Sequence, residues 1–122
     1  MARIIVIDDE DEMRNTIQKV LTSAGHLVFT AADGREGLEL HRAHPADLVM
    51  TDLIMPRHEG VETIRELLDI SPKLPIIAMS GQSTVDVMSQ IARQLGVTEV
   101  LQKPFDLAAL RATVGRALAG AR

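Results

Sequence analysis

The sequence predicts an α/β fold in which five short strands alternate with five helices around an open parallel sheet. Three observations support this: five short apolar runs, a stretch of helical periodicity after each run, and capping residues at the junctions between them. Eight such units would be needed to close a barrel, so five leave the sheet open. A chain of 122 residues suffices for one domain, and we expect residues 1–122 to form a single one.

The five apolar runs are the predicted strands. Four of them are almost uninterrupted, which is typical of strands covered by helices on both faces. The fifth is half polar, which indicates a strand at the edge of the sheet. In chain order the runs are Ile4–Ile7, Leu27–Phe29, Leu48–Met50, Ile76–Met79 and Val97–Leu101.

The stretches between the runs carry apolar residues at three- and four-residue spacing, which predicts helices with one buried face. In chain order they are Met13–Ala24, 33–44, Val61–Leu68, Met88–Leu95 and Leu107–Leu118, the second being the weakest. Residue types that favour helix ends stand at their boundaries. The predicted N-caps are Asp33, Ser83 and Asp106, and the predicted terminating glycines are Gly25 and Gly96.

Composition excludes several classes of function. The 13 basic and 17 acidic residues give a net charge of −4, which argues against nucleic acid as a direct partner. The chain has no cysteine, so disulfides and thiol catalysis are excluded. No apolar run approaches the ~18 residues of a membrane span, and the N-terminal run is too short for a signal peptide. We therefore expect a cytoplasmic domain with no direct membrane partner.

Polar residues follow four of the predicted strands. Asp8 and Asp9 follow the first strand, Asp52 the third, Ser80 the fourth and Lys103 the fifth. Each has an ordinary explanation alone, such as a solvated helix start for the acidic run. Because the carboxyl ends of parallel strands meet at one edge of an open sheet, their coincidence predicts one pocket. Crowded carboxylates repel each other, and a hard divalent cation, most suitably Mg²⁺, would relieve the repulsion.

The ordered set of these residues resembles the receiver domains of bacterial two-component response regulators. The resemblance extends from Ile4 to about Leu118 and includes Gly60, where such domains turn into the third helix. It implies a doubly wound, CheY-like sheet of strand order 2-1-3-4-5. The motifs that carry it are Asp8-Asp9, Asp52-Leu53-Ile54-Met55-Pro56, Ser80-Gly81 and Lys103-Pro104-Phe105.

The resemblance also implies a set of roles at the first and third strand ends. In receivers the residue at the position of Asp52 accepts a phosphoryl group from the phosphohistidine of a kinase. Asp9 would bind Mg²⁺ directly and Asp8 would assist through water. Asp52 and the backbone carbonyl of Ile54 would complete the protein ligands.

Further roles are implied at the fourth and fifth strand ends. Ser80 would donate its hydroxyl to a phosphoryl oxygen, Lys103 would neutralise its charge, and the Lys103–Pro104 bond would be cis. The chain departs from the family at Val100, where many receivers carry Tyr or Phe, and a valine has no ring to swing inward. We therefore expect the switch to use backbone and loop motion between Ser80 and Gln90, or the domain mainly to pass phosphate on.

The function implied is that of a phosphoacceptor switch, not an enzyme. Its expected partners are a sensor histidine kinase or a histidine phosphotransfer protein, together with an unidentified downstream protein, and we expect a monomer or weak dimer. One alternative is a receiver module of a longer multidomain regulator or hybrid kinase.

A second alternative, from another class, is a Mg²⁺-dependent phosphatase with an aspartate nucleophile. It would use the Asp-x-Asp spacing of Asp9 and Asp11, but the chain has no cap segment to select a substrate. A flavodoxin-like FMN site is excluded, because the acidic run after the first strand would repel the phosphate.

Overall fold

The computed structural model of the chain describes residues 1–53, 59–81 and 85–120, and in these ranges strands and helices alternate strictly. The strands are β1 (Arg3–Ile7), β2 (Leu27–Ala31), β3 (Leu48–Asp52), β4 (Ile76–Ser80) and β5 (Glu99–Gln102). The helices are α1 (Asp11–Ser23), α2 (Gly34–Ala43), α3 (Glu59–Ile70), α4 (Val85–Leu95) and α5 (Leu107–Ala119).

The strands form one parallel sheet of order β2-β1-β3-β4-β5, so the predicted fold class and strand order are confirmed. The sheet has a separate apolar core on each face, because successive side chains of a strand point to opposite faces. Ile4 and Val6 of β1 join the core that α1 and α5 cover. Ile5 and Ile7 join the core that α2, α3 and α4 cover.

The helix boundaries follow the predicted capping residues wherever the structure describes them. The carboxylates of Asp33 and Asp106 accept hydrogen bonds from the third backbone N–H of α2 and of α5, at 2.9 and 2.7 Å. Gly25 and Gly96 have φ of 95° and 106°, the left-handed conformation that ends a helix and that other residues rarely adopt. The predicted cap Ser83 lies outside the described residues.

The last strand begins two residues later than predicted. The Val97 N–H donates to the Ala92 carbonyl, so Val97 belongs to the turn that closes the end of α4. The Thr98 N–H donates to Ile76, and the strand itself runs from Glu99. β5 is at an edge of the sheet, as predicted. β2 forms the other edge, and its first residue, Leu27, is 42 % exposed, although its apolar run predicted a strand covered on both faces.

Among the described helices, none combines the length and apolar character needed to cross a lipid bilayer.

Candidate functional site

The carboxyl edge of the sheet brings together the side chains that follow four different strands. Asp52 and Ser80 are the last residues of β3 and β4, and both are buried. Asp8 follows β1 directly, and Lys103 follows β5 directly. The Lys103 N–H donates to the Ser80 carbonyl at 2.7 Å, which extends the pairing of β4 and β5 up to the site. The predicted convergence of these four residues at one edge is therefore observed.

The ammonium of Lys103 lies at the centre of the site. Its Nζ is 2.9 Å from Oδ2 of Asp8 and 3.0 Å from Oδ2 of Asp52, and both contacts are hydrogen-bonded ion pairs. A third carboxylate, Glu10, lies 3.6 Å from Nζ at Oε1. The side chain of Asp8 is fully buried and that of Asp52 is 8 % exposed, whereas that of Glu10 is 64 % exposed. The two buried carboxylates thus hold the lysine at the edge of the sheet.

Asp8 uses all four of its polar groups within the protein. Its N–H donates to the Ala31 carbonyl at 3.1 Å, and its own carbonyl accepts from the Arg14 guanidinium at 2.6 Å. Its Oδ1 accepts from the Glu10 N–H at 2.9 Å, and its Oδ2 accepts from Lys103. A carboxylate with this many fixed partners is well suited to orienting neighbouring groups.

The surroundings of Lys103 keep it charged. Burial removes water from the ammonium and by itself lowers its pKa. The hydrogen bonds that Lys103 donates to Asp8 and Asp52, together with the negative charges of both residues, act in the opposite direction, and the net effect is a raised pKa of Lys103. Lys103 therefore supplies a permanent positive charge beside Asp52.

One lysine does not neutralise the carboxylates around it. Single oxygens of Asp8, Glu10 and Asp52 all lie within 4.8 Å of one another, a spacing at which they could hold a metal ion. Three carboxylates against one ammonium leave an excess of about two negative charges, and this excess attracts a small divalent cation with oxygen ligands.

Some predicted site residues are placed differently from this group. Asp9 is exposed beside it and is not among the three clustered carboxylates. The Ser80 hydroxyl donates to the Gly81 carbonyl at 3.3 Å. Ile54, whose carbonyl was predicted to bind the metal, lies outside the described residues, as do residues 82–84 of the predicted moving segment. The predicted cis Lys103–Pro104 bond is observed. The predicted roles of the site residues stay predictions, namely those of Asp8, Asp9, Asp52, Ile54, Ser80 and Lys103.

The structure adds two residues that the sequence pattern did not single out. Glu10 was part of the acidic run, but only the fold turns its carboxylate towards Lys103. Arg14 had no motif to mark it, yet it binds the carbonyl of Asp8 and pairs with Asp11. That pairing leaves the Asp-x-Asp arrangement of the phosphatase alternative unassembled, because Asp11 is the first residue of α1 and turns to Arg14.

Gly60 fixes the distance between α3 and β3. A Cβ at this position would lie 2.5 Å from the carbonyl oxygens of both Asp52 and Leu53. Backbone atoms cannot yield as a flexible side chain does, so only glycine permits this approach. The helix thereby packs directly against the backbone that carries Asp52.

Comparison with known proteins gives consistent matches along nearly the whole chain. The sequence profile of the response regulator receiver domain matches residues 4–115. The transcriptional regulatory protein ZraR of Klebsiella oxytoca is 34% identical over 119 residues, which cover 98% of this chain and 27% of ZraR. The DNA-binding transcriptional regulator NtrC of Azospirillum brasilense is 36% identical over 117 residues, which cover 96% of this chain and 24% of NtrC. The chain thus spans about a quarter of the length of these relatives.

Solved structures give the same result at matching length. A response regulator receiver domain protein of Clostridium thermocellum is 31% identical with a TM-score of 0.90, covering 98% of this chain and 96% of that protein. The chemotaxis protein CheY4 of Vibrio cholerae is 32% identical with a TM-score of 0.90, covering 97% of this chain and 99% of that protein.

Proposed function

This chain belongs to the response regulator receiver domain family, and on that premise we propose that it is a cytoplasmic phosphoacceptor switch whose acceptor is Asp52. The phosphoryl donor is a sensor histidine kinase or a histidine phosphotransfer protein. The observation that carries the proposal is the pairing of buried Asp52 with Lys103 at 3.0 Å, at the carboxyl edge of the sheet. In this proposal residues 1–122 form one receiver domain.

The chemistry asked of Asp52 is attack by a carboxylate oxygen on the phosphorus of a phosphohistidine. A P–O bond to Asp52 forms, the P–N bond breaks, and the imidazole leaves with the bonding electron pair. Such a transfer depends on positioning and charge neutralisation more than on acid–base catalysis. Lys103 supplies a fixed positive charge at the acceptor, and its raised pKa keeps that charge at neutral pH.

The oxygens of Asp8, Glu10 and Asp52, within 4.8 Å of one another, support a magnesium ion at this edge of the sheet. Asp9, Asp52 and the carbonyl of Ile54 would hold the ion, with Asp8 bound through water. The ion would neutralise charge on the transferring phosphoryl group. The four occupied polar groups of Asp8 support its indirect role, since both of its carboxylate oxygens already accept hydrogen bonds.

The response to phosphate is proposed to begin at Ser80. Its hydroxyl now binds the neighbouring Gly81 carbonyl, and in the phosphorylated state it would bind a phosphoryl oxygen instead. Val100, on the adjacent β5, packs partly buried against the core beneath α2, α3 and α4 and has no ring to follow this movement. The change would then pass through the chain after Ser80 and bias docking to a downstream protein. This makes the domain a switch and not a turnover enzyme.

Intact mass after incubation with acetyl phosphate and Mg²⁺ tests the proposal. One added phosphoryl group is expected for the wild type, and none for Asp52→Asn or without Mg²⁺. Asp69→Asn, an exposed acid on α3, is the matched control and should be phosphorylated like the wild type. Addition that persists in Asp52→Asn would contradict the assignment. A wild type that accepts phosphate neither from acetyl phosphate nor from a panel of phosphorylated phosphotransfer proteins would contradict the function itself.

A specific observation also favours the alternative that this chain is one receiver module of a longer regulator or hybrid kinase. The chain matches only about a quarter of ZraR and NtrC, whose names describe transcriptional regulation. In that case phosphorylation of Asp52 would act on an attached output domain. Reading the gene beyond this sequence distinguishes the two arrangements, and neither alters the chemistry at Asp52.

A further inference from the structure

Arg14 connects the first turn of α1 to the edge of the sheet. Its side chain is only 16 % exposed although it belongs to a helix of strongly polar outer face. One guanidinium nitrogen, Nη1, donates to the Asp8 carbonyl oxygen at 2.6 Å, and Nη2 pairs with the Asp11 carboxylate. A largely buried guanidinium is costly unless its donors are occupied, and these two contacts occupy both ends of its planar fork.

We propose that Arg14 is a positioning residue of the phosphoacceptor site, which fixes the Asp8–Asp9 peptide and thereby aims Asp9 at the divalent cation. The proposal rests on the proposed function and deepens it. Arg14 itself contacts neither the cation nor the phosphoryl group in this assignment.

The geometric reason lies in the planarity of the peptide unit. The carbonyl oxygen of Asp8 and the N–H and Cα of Asp9 lie in one plane, because the peptide bond does not rotate freely. A charge-assisted hydrogen bond to that oxygen therefore sets the orientation of the whole unit and the direction in which Asp9 leaves it. Asp9 is exposed, so packing contributes little to its placement.

The turn that carries the acidic run is also restrained by the Glu10 N–H, which donates to Oδ1 of Asp8 at 2.9 Å and so holds the Asp9–Glu10 peptide. Glu10 occupies the N-cap position of α1 but makes no side-chain capping bond, since its carboxylate lies towards Lys103. The N–H of Asp8 donates to the Ala31 carbonyl, which restrains the peptide that precedes Asp8. The Arg14 guanidinium restrains the following peptide, because it donates to the Asp8 carbonyl oxygen.

Charge and positioning make opposite predictions, which allows them to be separated. A positive charge near the site repels Mg²⁺, so removing it alone would tighten Mg²⁺ binding. Loss of positioning would weaken Mg²⁺ binding instead. Arg14→Lys keeps the charge but cannot span both partners with a planar fork, whereas Arg14→Gln removes both the charge and the fork.

The experiment measures the Mg²⁺ concentration that gives half-maximal phosphorylation by acetyl phosphate, and separately the maximal rate at saturating Mg²⁺. For Arg14→Lys and Arg14→Gln we expect the half-saturating concentration to rise about 10-fold, the lower end of the loss when a group that orients a metal ligand is removed. The maximal rate should stay close to that of the wild type, because the reacting groups are intact. Arg116 of α5 pairs with Glu99 of β5, away from the acidic run. Arg116→Gln, which loses this ion pair, is the matched control and should change neither value.

A half-saturating Mg²⁺ concentration that is unchanged or lowered in both Arg14 variants would overturn the proposal, even if both melt at lower temperature. Direct Mg²⁺ titration followed by backbone amide shifts makes the result independent of phosphorylation. Weaker binding by the variants in that titration supports the role of Arg14 even where acetyl phosphate fails as a donor. If the wild-type protein binds no Mg²⁺, both the positioning role of Arg14 and the proposed metal site are refuted. If Arg14→Gln is unfolded by circular dichroism, Arg14→Lys decides, because it keeps the charge and loses only the planar guanidinium; unchanged or tighter Mg²⁺ binding by Arg14→Lys would then refute the role of Arg14.

Discussion

Replacing Asp52 by asparagine is expected to raise the free energy of unfolding when no divalent cation is present. Among the described residues, the Lys103 ammonium attracts the Asp52 carboxylate at 3.0 Å. The carboxylates of Asp8 and Glu10 repel it, since their oxygens lie within 4.8 Å of its own. Asparagine keeps an oxygen that can accept from Lys103 and removes the charge.

The magnitude follows from Coulomb's law. At an effective dielectric constant of about 20, unit charges at 3.0 Å attract by roughly 5.5 kcal/mol, and unit charges at 4.8 Å repel by roughly 3.5 kcal/mol. Two repulsions therefore outweigh one attraction. Glu10 is largely exposed and its repulsion is screened, whereas the burial of Asp52 adds a cost of desolvation that acts in the same direction as the repulsion. We expect Asp52→Asn to stabilise the metal-free protein by about 1–2 kcal/mol.

Urea unfolding in a chelator and again in millimolar Mg²⁺ provides the assay. With the proposed metal site, Mg²⁺ would bind the folded wild type more strongly than the variant, so we expect the stability difference to shrink or reverse when Mg²⁺ is added. Asp69→Asn removes the same charge from an exposed position and controls for net charge, with an expected change near zero. A variant that is less stable than the wild type in the chelator would refute the reasoning, because it would mean that the pair with Lys103 dominates the site.

Three further predictions concern the scaffold of the site. Gly60→Ala should lower the free energy of unfolding by about 2–3 kcal/mol in urea and slow the phosphorylation of Asp52. Gly115→Ala is the control, because its added Cβ meets nothing within 4 Å and should not destabilise the protein. Equal effects of the two substitutions would contradict the close approach of α3. Burial lowers the pKa of His41 below 6.5, so the unfolded chain takes up a proton that the folded protein does not, and stability should fall as pH drops below 6.5. His41→Asn should remove that slope in urea titrations, and a slope that survives would point to other groups. Asp106→Ala should lower the free energy of unfolding by about 1 kcal/mol through loss of the α5 cap. Asp106→Asn keeps a capping oxygen and should unfold close to the wild-type temperature. An alanine variant as stable as the wild type would contradict the capping role.

The sequence predicted the fold because its signals are local. Apolar runs of strand length, helical periodicity and the capping residues Asp33, Asp106, Gly25 and Gly96 each act within a few residues of the chain, and each is confirmed. The strand order came from the family resemblance, since neighbouring strands can be distant along the chain. The exposure of β2 was not predictable, because a central strand and an edge strand that helices partly cover can have the same apolar sequence pattern.

The sequence by itself determined which residue types reach the carboxyl edge of the sheet. Asp8 and Lys103 directly follow β1 and β5, and Asp52 and Ser80 are the last residues of β3 and β4. Only the tertiary structure decided how they are paired. The two contacts of Lys103 join residues 95 and 51 positions apart, and no local pattern specifies which oxygen meets which nitrogen across such distances. The same holds for the hydrogen bond from Arg14 to the Asp8 carbonyl. It depends on where α1 begins relative to β1 and on the burial of the Arg14 side chain, and no sequence motif specifies either.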